Sequence, residues 1–365
     1  MFLNNPFTGA FGLDIGDLAI KLLQLERRWR GFGKPPMFVV KNSRIINLPP
    51  GYIVNGELQQ PEMVRKKLLQ ILGKDGSKFK PISSPWAVVD LPEPKTFLKL
   101  IEIEAPSSQI TVDDVNYHAR KHLPYELEET YLDWHIVNTN NENSKFSQVL
   151  IGAAPKITAD SYTYLLHSVG LLPVSLEIEA ISLARAMITA NKNYEGEARA
   201  ILDLGATRSS IIIYDKDSIQ FSTTINFSGE LLTMALMQEL KLEYEMAEQL
   251  KIKNGMTYDE KYPRYFKVIN NLTEALVNEI KIAINFYKER FLDTNPITHI
   301  TMCGGVSQLK NIDNFLSRKL KISSHPGHPW KNLFNTSFAE LDNINALGMT
   351  SAIGLALRAA KSLTE

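Results

Sequence analysis

Phe11-Gly12-Leu13-Asp14-Ile15-Gly16-Asp17, near the start of the chain, is matched past its middle by Ala200-Ile201-Leu202-Asp203-Leu204-Gly205-Ala206-Thr207. Each copy is an apolar run that ends in Asp-x-Gly and is followed by a second apolar stretch, at 19–25 and at 209–214. Each therefore reads as a β-hairpin with glycine at its tight turn. Two such hairpins facing each other wrap a phosphate chain. Their turn N–H groups point at the oxygens, and the carboxylates Asp14 and Asp203 face a Mg²⁺ ion. A third glycine pair follows in His299-Ile300-Thr301-Met302-Cys303-Gly304-Gly305, an apolar strand that runs into a turn and then a helix. Bare backbone at Gly304 and Gly305 lets a flat ring lie close, because a Cβ would block it. One Asp-x-Gly after a strand is usually just a hairpin; the ordered set of three turns is far more specific.

Composition narrows the classes. The 365 residues suffice for two domains. Forty basic residues balance forty acidic ones, which leaves no electrostatic footprint for nucleic acid. The single cysteine, Cys303, excludes an intramolecular disulfide and suits a reducing compartment. Residues 1–9 lack the positive flank and apolar core of a signal peptide. No uncharged apolar run reaches the roughly 18 residues that a membrane span needs. These features predict a cytoplasmic chain without direct membrane insertion.

The pattern of elements predicts an α/β chain. Residues 11–25 and 37–48 read as strands of one sheet, and 61–72 as a helix. A polar connector at 73–85 leads to a module at 86–155, which opens with a strand at 86–90 and holds a second at 95–103. Within the module Thr111 and Asp114 form a capping signature ahead of a helix. Helices at 158–169 and 179–190 precede the second hairpin. The longest helix, 267–290, repeats Val268, Leu272, Leu276, Ile280, Ala283 and Tyr287 at helical spacing. A final helix spans 346–362 and packs tightly through Gly354.

Together these blocks resemble the actin-like ATPase superfamily. Within it, the chain is similar to the PilM family of the type IV pilus inner-membrane platform, related to FtsA. Besides the three turns, the likeness rests on Ile53-Val54-Asn55-Gly56-Glu57-Leu58, Leu123-Pro124-Tyr125-Glu126, Glu177 to Ala186, Gly229-Glu230-Leu231-Leu232-Thr233, Ala247 to Lys251 and Ala352 to Arg358. The resemblance implies a duplicated, actin-like (ribonuclease H-like) two-domain fold with an inserted α+β subdomain. The first domain would take 1–85 and 156–195, the insert 86–155, the second domain 196–345, and the helix at 346–365 would return to the first domain.

The resemblance also implies ATP and Mg²⁺. Asp14, Gly16, Asp17 and Lys21 would serve from the first hairpin, and Asp203, Gly205, Ala206 and Thr207 from the second. Gly229, Glu230, Lys251, Glu279, Gly304 and Gly305 would line the adenosine side. Asp14 and Asp203 would hold the metal, and Glu177, in preference to Glu179, would position a metal-bound water. Several positions depart from the family pattern. Asp17 stands where a small polar donor is usual; a carboxylate about 5 Å from a phosphate costs roughly 3 kcal/mol per unit charge at an effective dielectric near 20. It escapes that cost by binding Mg²⁺ or by turning to solvent. Ile282 and Ala283 replace an expected Arg-Ser pair, and Cys303 replaces the first glycine of the adenosine turn. The cleft is therefore expected to bind nucleotide weakly or not at all, with at most very slow ATP turnover.

The function implied is that of an adaptor binding the N-terminal tail of a PilN-like single-span membrane protein. The tail groove would lie where 48–58 meets 86–103, with 95–103 as an edge strand open to pairing. Self-association into a ring or filament is a further family trait. Two alternatives are a small-molecule kinase of the same superfamily and an FtsA-like filament protein. No distinct Asp motif serves as a kinase base, and no basic amphipathic tail follows Gly354.

Overall fold

In a computed structural model the described residues are 5–28, 31, 37–76, 79–137, 145–190, 192–333 and 346–361. The closing part of the expected second domain, 334–345, and the last four residues lie outside them. The first half begins with strands β1 (Phe11–Ile15), β2 (Ala19–Arg28) and β3 (Met37–Asn47). The two-residue strands β4 (Ile53–Val54) and β5 (Glu57–Leu58), helix α1 (Pro61–Leu72) and β6 (Trp86–Leu91) follow. Next come β7 (Phe97–Ile103), α2 (Val112–Ala119), β8 (Thr130–Val137) and β9 (Ser147–Pro155). Helix α3 (Lys156–Ser168), β10 (Leu172–Ile178) and α4 (Glu179–Met187) lead into the second half. That half holds β11 (Ala198–Leu204), β12 (Ser209–Asp215), β13 (Ser218–Ile225), α5 (Gly229–Leu240), α6 (Tyr244–Asn254) and α7 (Pro263–Arg290). It closes with β14 (Ile297–Cys303), α8 (Ile312–Leu320), β15 (Ser323–Pro326) and α9 (Thr350–Ala360).

The sequence repeat is a topological repeat. One sheet runs β10-β6-β1-β2-β3, and the second contains β15-β14-β11-β12-β13 in the corresponding order. In each, an antiparallel hairpin (β1–β2, β11–β12) has a parallel strand on its other side (β6, β14). Short turns fix the antiparallel pairs, and crossover segments make the parallel ones. The parallel strands are buried on both faces, so β6 reads Trp-Ala-Val-Val-Asp-Leu without alternation.

Two expectations change here. The strand at 86–90 was read as the start of the inserted module, but β6 pairs with β1 and β10 inside the first sheet. A short apolar run does not reveal which sheet it joins. The module proper is β7, α2, β8 and β9, and it extends the second sheet through a Phe221–Lys99 pairing of β13 with β7. Strand β7 therefore lies between β9 and β13 and is not an edge. Helix α2 opens with the capping box expected of Thr111 and Asp114, and its Val115 and Ala119 cover Val149 and Ile151 of the module sheet. Helix α9 packs Ala352, Ile353, Ala356 and Leu357 against Leu23 and Leu25 of β2.

Candidate functional site

The two hairpin turns come from different sheets and line one cleft of about 510 Å³. In β1–β2, Asp14 lies opposite Lys21, and Gly16 N–H donates to the Ala19 carbonyl at 3.0 Å. In β11–β12, Asp203 lies opposite Ser210, and Gly205 N–H donates to the Arg208 carbonyl at 3.0 Å. A Cβ on Gly205 would collide with that Arg208 carbonyl, whereas one on Gly16 would sit 3.4 Å from Ala19 O. Close approach rather than a positive φ thus demands glycine in the second turn. The third turn follows β14. Gly304 has φ +80°, and a Cβ there would lie 2.7 Å from Asp203 Oδ1. Gly305 has open space on its Cβ side. The cleft also takes Ala206, Thr207, Glu179, Gly229, Glu230 and Ser351, and α6 lends Tyr244, Glu248, Lys251 and Ile252.

Carboxyl groups crowd this cleft. Asp14 Oδ2 accepts from Lys21 Nζ at 2.9 Å and from the Ser351 hydroxyl on α9. Burial opposes the Lys21 charge, yet the Asp14 carboxylate outweighs it and holds the ammonium above its usual range. Burial pushes Asp203 up, partly offset by Lys21 and by the Cys303 thiol that donates to it. Burial also raises Glu179, against the pull of Arg208, and the Asp203 and Asp14 charges add to the rise. Asp90, beside Asp14 on β6, is raised well above its ordinary value by burial and by the Asp14 and Glu179 charges. Its Oδ2 is buried without a hydrogen-bond partner. Glu93, also buried, is pushed up to about 7 chiefly by desolvation.

Against these stand Lys21 and Arg208. A bare polyphosphate is repelled by such a set, while a divalent cation arriving with it is welcomed. Mg²⁺ keeps several waters and takes only one or two protein carboxylates beside the phosphates; the two hairpins bring one carboxylate each to this cleft, Asp14 and Asp203. Among the described residues no group of three or more His, Cys, Asp or Glu side chains is arranged to hold a metal by itself.

Several expected roles shift. Glu177 does not reach the cleft: its carboxylate is gripped by Arg185 at 2.7 and 3.2 Å and approached by Arg358 at 3.6 Å. Glu179 lines the cleft instead, because the strand ends at Ile178 and the helix turns the two acids apart. Glu279 and Ile282 are exposed on α7 and Ala283 is buried in the core beneath that helix; none of the three lines the cleft, so their departure from the family pattern does not touch the site. On this side the cleft is walled by α6, not α7.

The N–H groups of Gly229 and Glu230 are spent on the Gly205 and Ala206 carbonyls, and Ser228 caps Leu231. That helix end clamps the second turn rather than presenting free donors. Glu230 accepts from Tyr244 OH at 3.1 Å. Lys251 commits its ammonium to Gly229 O, Thr233 Oγ1 and Glu248, its full complement of three donors. Asp17 neither binds solvent nor stands alone: it is 6% exposed, accepts from Gly56 N–H at 3.1 Å and pairs with Arg208 at 3.2 Å. Cys303 is fully buried as the last residue of β14. Arg208, Ser351 and Tyr244 were not legible as site residues, since only the assembled sheets, α6 and α9 bring them in.

Where 48–58 meets 86–103, the chain packs closely on itself around Gly56. A Cβ on Gly56 would lie 2.6 Å from Pro92 Cγ, Lys95 pairs with Glu57, and Tyr162 OH donates to Gly56 O. An open groove of about 1120 Å³ lies elsewhere beside the module. Its walls include the His135, Val137, Gln148 and Leu150 face of β8–β9, Ile181, Ala184 and Arg185 of α4 with Ile188 just past that helix, and Tyr214 and Lys216 to Ile219 of the β12–β13 hairpin.

Residues 12–360 match the family profile described as type IV pilus assembly protein PilM. Among solved structures the chain is similar to a PilM-PilN type IV pilus biogenesis complex, with TM-score 0.78 and 21% identity, over 98% of this chain and 100% of that one. It is also similar to the ethanolamine utilization protein EutJ from Carboxydothermus hydrogenoformans (TM-score 0.53, 15% identity, 95% of this chain and 88% of that one). MreB 5 of Spiroplasma citri bound to AMPPNP gives TM-score 0.51 at 12% identity, over 96% of each chain. A curated relative, cell division protein FtsA of Buchnera aphidicola subsp. Baizongia pistaciae (strain Bp), is 24% identical over 181 residues. That match spans 42% of this chain and 42% of the relative's length. The fold shared with these structures is the actin-like ATPase fold, as the paired hairpins led one to expect.

Proposed function

The chain belongs to the PilM family of type IV pilus assembly proteins, and from that premise we propose that it is an adaptor that seats the N-terminal tail of a PilN-like single-span membrane protein. The observation that carries this reading is the groove between the module sheet and α4. Its roughly 1120 Å³ exceeds the about 300–1,000 Å³ of typical small-ligand pockets and suits an extended peptide. His135 lies opposite Leu150, and Val137 opposite Gln148, so one face of the β8–β9 pair turns toward the groove while Ile136 and Val149 turn into the module core. Positions 181, 184 and 185 fall on one face of α4, and 188 follows just past its end. The facing surfaces give a peptide alternating apolar and polar pockets. No helix among the described residues is long and apolar enough to cross a membrane. The partner is therefore the link to the membrane, with the chain held on its cytoplasmic side.

The 510 Å³ cleft is the nucleotide site of this reading. Asp14 and Asp203 would hold Mg²⁺ with ATP, Lys21 and the turns at Gly16 and 205–207 would meet the phosphates, and Gly304-Gly305 would admit the base. The metal supplies charge neutralisation of the phosphates. Glu179, not Glu177, is the acid placed to orient a water. The N–H groups already spent at Gly229 and Glu230, and the ion pair at Asp17, make affinity and turnover low.

Calorimetry with a synthetic tail peptide tests the adaptor reading. Low-micromolar binding is expected, weakened at least about tenfold by Ile181→Glu or Ile188→Glu, a loss of roughly 1.4 kcal/mol. Equal affinity of the wild-type and substituted chains would reject the groove. Steady phosphate release with micromolar ATP affinity would reject the weak cleft.

A further inference from the structure

Asp17 and Arg208 belong to different sheets. Asp17 follows Gly16 in the β1–β2 turn, and Arg208 precedes Ser209 in the β11–β12 turn. Their charges meet across the cleft, Arg208 Nη1 to Asp17 Oδ1 at 3.2 Å, with side chains 18% and 5% exposed. Asp17 is fixed from behind by the Gly56 N–H. The same guanidinium is faced by Glu179 from α4, and its charge is felt at Glu93 after β6 and at Asp203 on β11. Tyr162 from α3 also stands near it.

Bringing the two turns together gathers Asp14, Asp17 and Glu179 from one side against Asp203 from the other. Lys21 faces Asp14, Glu179 and Asp203 and offsets part of that crowding. Burial favours the protonated forms of Glu179 and Asp203. Asp17 is left to find its own cation, and like charges oppose closure until it does. In a cleft that closes around nucleotide, that cation arrives from solution as a metal with its phosphates. Here a cation is built into the second turn, and the acid it grips replaces the small polar residue usual in the first. A guanidinium suits this role, because it stays charged when buried; it meets Asp17 through one close charge contact from Nη1 and not through a bidentate hydrogen-bonded fork.

We propose that the Asp17–Arg208 pair is a latch that holds the two halves of this chain closed without nucleotide. The latch goes beyond the adaptor reading and rests on it only in treating the cleft as nucleotide-type. Any polyphosphate entering the cleft competes with Asp17 for Arg208.

The test uses the full chain without nucleotide, read by amide exchange of 16–21 and 203–210 and by the radius of gyration from small-angle scattering. In the wild type both turns are expected to be protected without nucleotide. Arg208→Met should speed exchange of both turns about tenfold or more and enlarge the radius, as a local opening would. Arg208→Lys, which keeps the charge, should retain most of the protection, and Asp17→Ser should fall between. Circular dichroism confirms that each variant is folded. An Arg208→Met chain as protected and compact as the wild type would overturn the latch. So would a wild type that is open alone and closes only with Mg²⁺ and ATP, a comparison that needs no variant. Calorimetric titration with ATP and with the tail peptide scores the functional reading separately, since either can fail while the nucleotide-free protection stands.

Discussion

Gly354→Ala should unseat helix α9. A Cβ at Gly354 would overlap the Ser182 carbonyl oxygen outright and would lie 2.5 Å from the Ser182 carbonyl carbon and 2.9 Å from Ser182 Cα. All these atoms are backbone of α4, so no side-chain rotation relieves the clash. The two helices must separate by about 1 Å to bring that oxygen back to a tolerable approach, and α9 has no slack on its other side. There, a Cβ at Gly12 of β1 would already stand 2.6 Å from Ala352 O. Overpacking in a rigid core costs about 1–3 kcal/mol, and a backbone clash belongs at the upper end. The better helix propensity of alanine returns about 1 kcal/mol. A net loss near 2 kcal/mol lowers the melting temperature by about 4–8 °C for a unit of 150–250 residues. Because Ser351 on α9 donates to Asp14, the same displacement loosens the cleft carboxylate. Thermal unfolding followed by circular dichroism reads the first effect, and amide exchange in β1 reads the second. Gly305→Ala is the matched control. Its Cβ meets nothing within 4 Å, so its stability should stay within about 0.5 kcal/mol of wild type. A Gly354→Ala chain that melts with the wild type would refute the argument that glycine is there to let two backbones touch.

Other expectations follow from the buried acids and the caps. Glu93 is ordinarily near 4.5 but is raised to about 7 when folded, so the native chain keeps a proton that the unfolded chain releases between those values. Its stabilising contribution is complete below about 4.5 and is lost as pH rises through 7, worth at most roughly 3 kcal/mol. Denaturant titrations at several pH values should show Glu93→Gln flattening that decline, and an unchanged slope would count against it. Glu177→Gln should destabilise the fold by about 1–3 kcal/mol, since it leaves Arg185 half-buried and short of a partner. Glu179→Gln should leave the melting temperature unchanged or higher, as it removes a crowded buried acid. A reversal of that order in paired melts would contradict the assignment of the two acids. Thr111→Ala should cost about 1 kcal/mol by removing the α2 cap, seen as faster amide exchange confined to the module.

The sequence by itself determined what local chemistry controls. Asp-x-Gly after an apolar run specifies a hairpin whichever sheet receives it, so Asp14 and Asp203 were placed on facing turns from residues alone. The Thr111–Asp114 box needed only four neighbouring residues, and the long helix only its repeat. Tertiary structure decided which groups meet. Glu177 and Glu179 are equivalent by spacing, and only the end of β10 at Ile178 sends one to Arg185 and the other to the cleft. Glu279 looked like a ligand on a helix that, once packed, faces elsewhere, and Lys251 turned out to be consumed by its neighbours. Strand β6 looked like part of the module until the sheet order claimed it. Arg208 gained its meaning from Asp17, a residue 191 positions earlier on another sheet. Hairpins and caps are settled by interactions a few residues long. Charge pairs across a cleft are settled by how two sheets come together, and no short stretch of the chain records that.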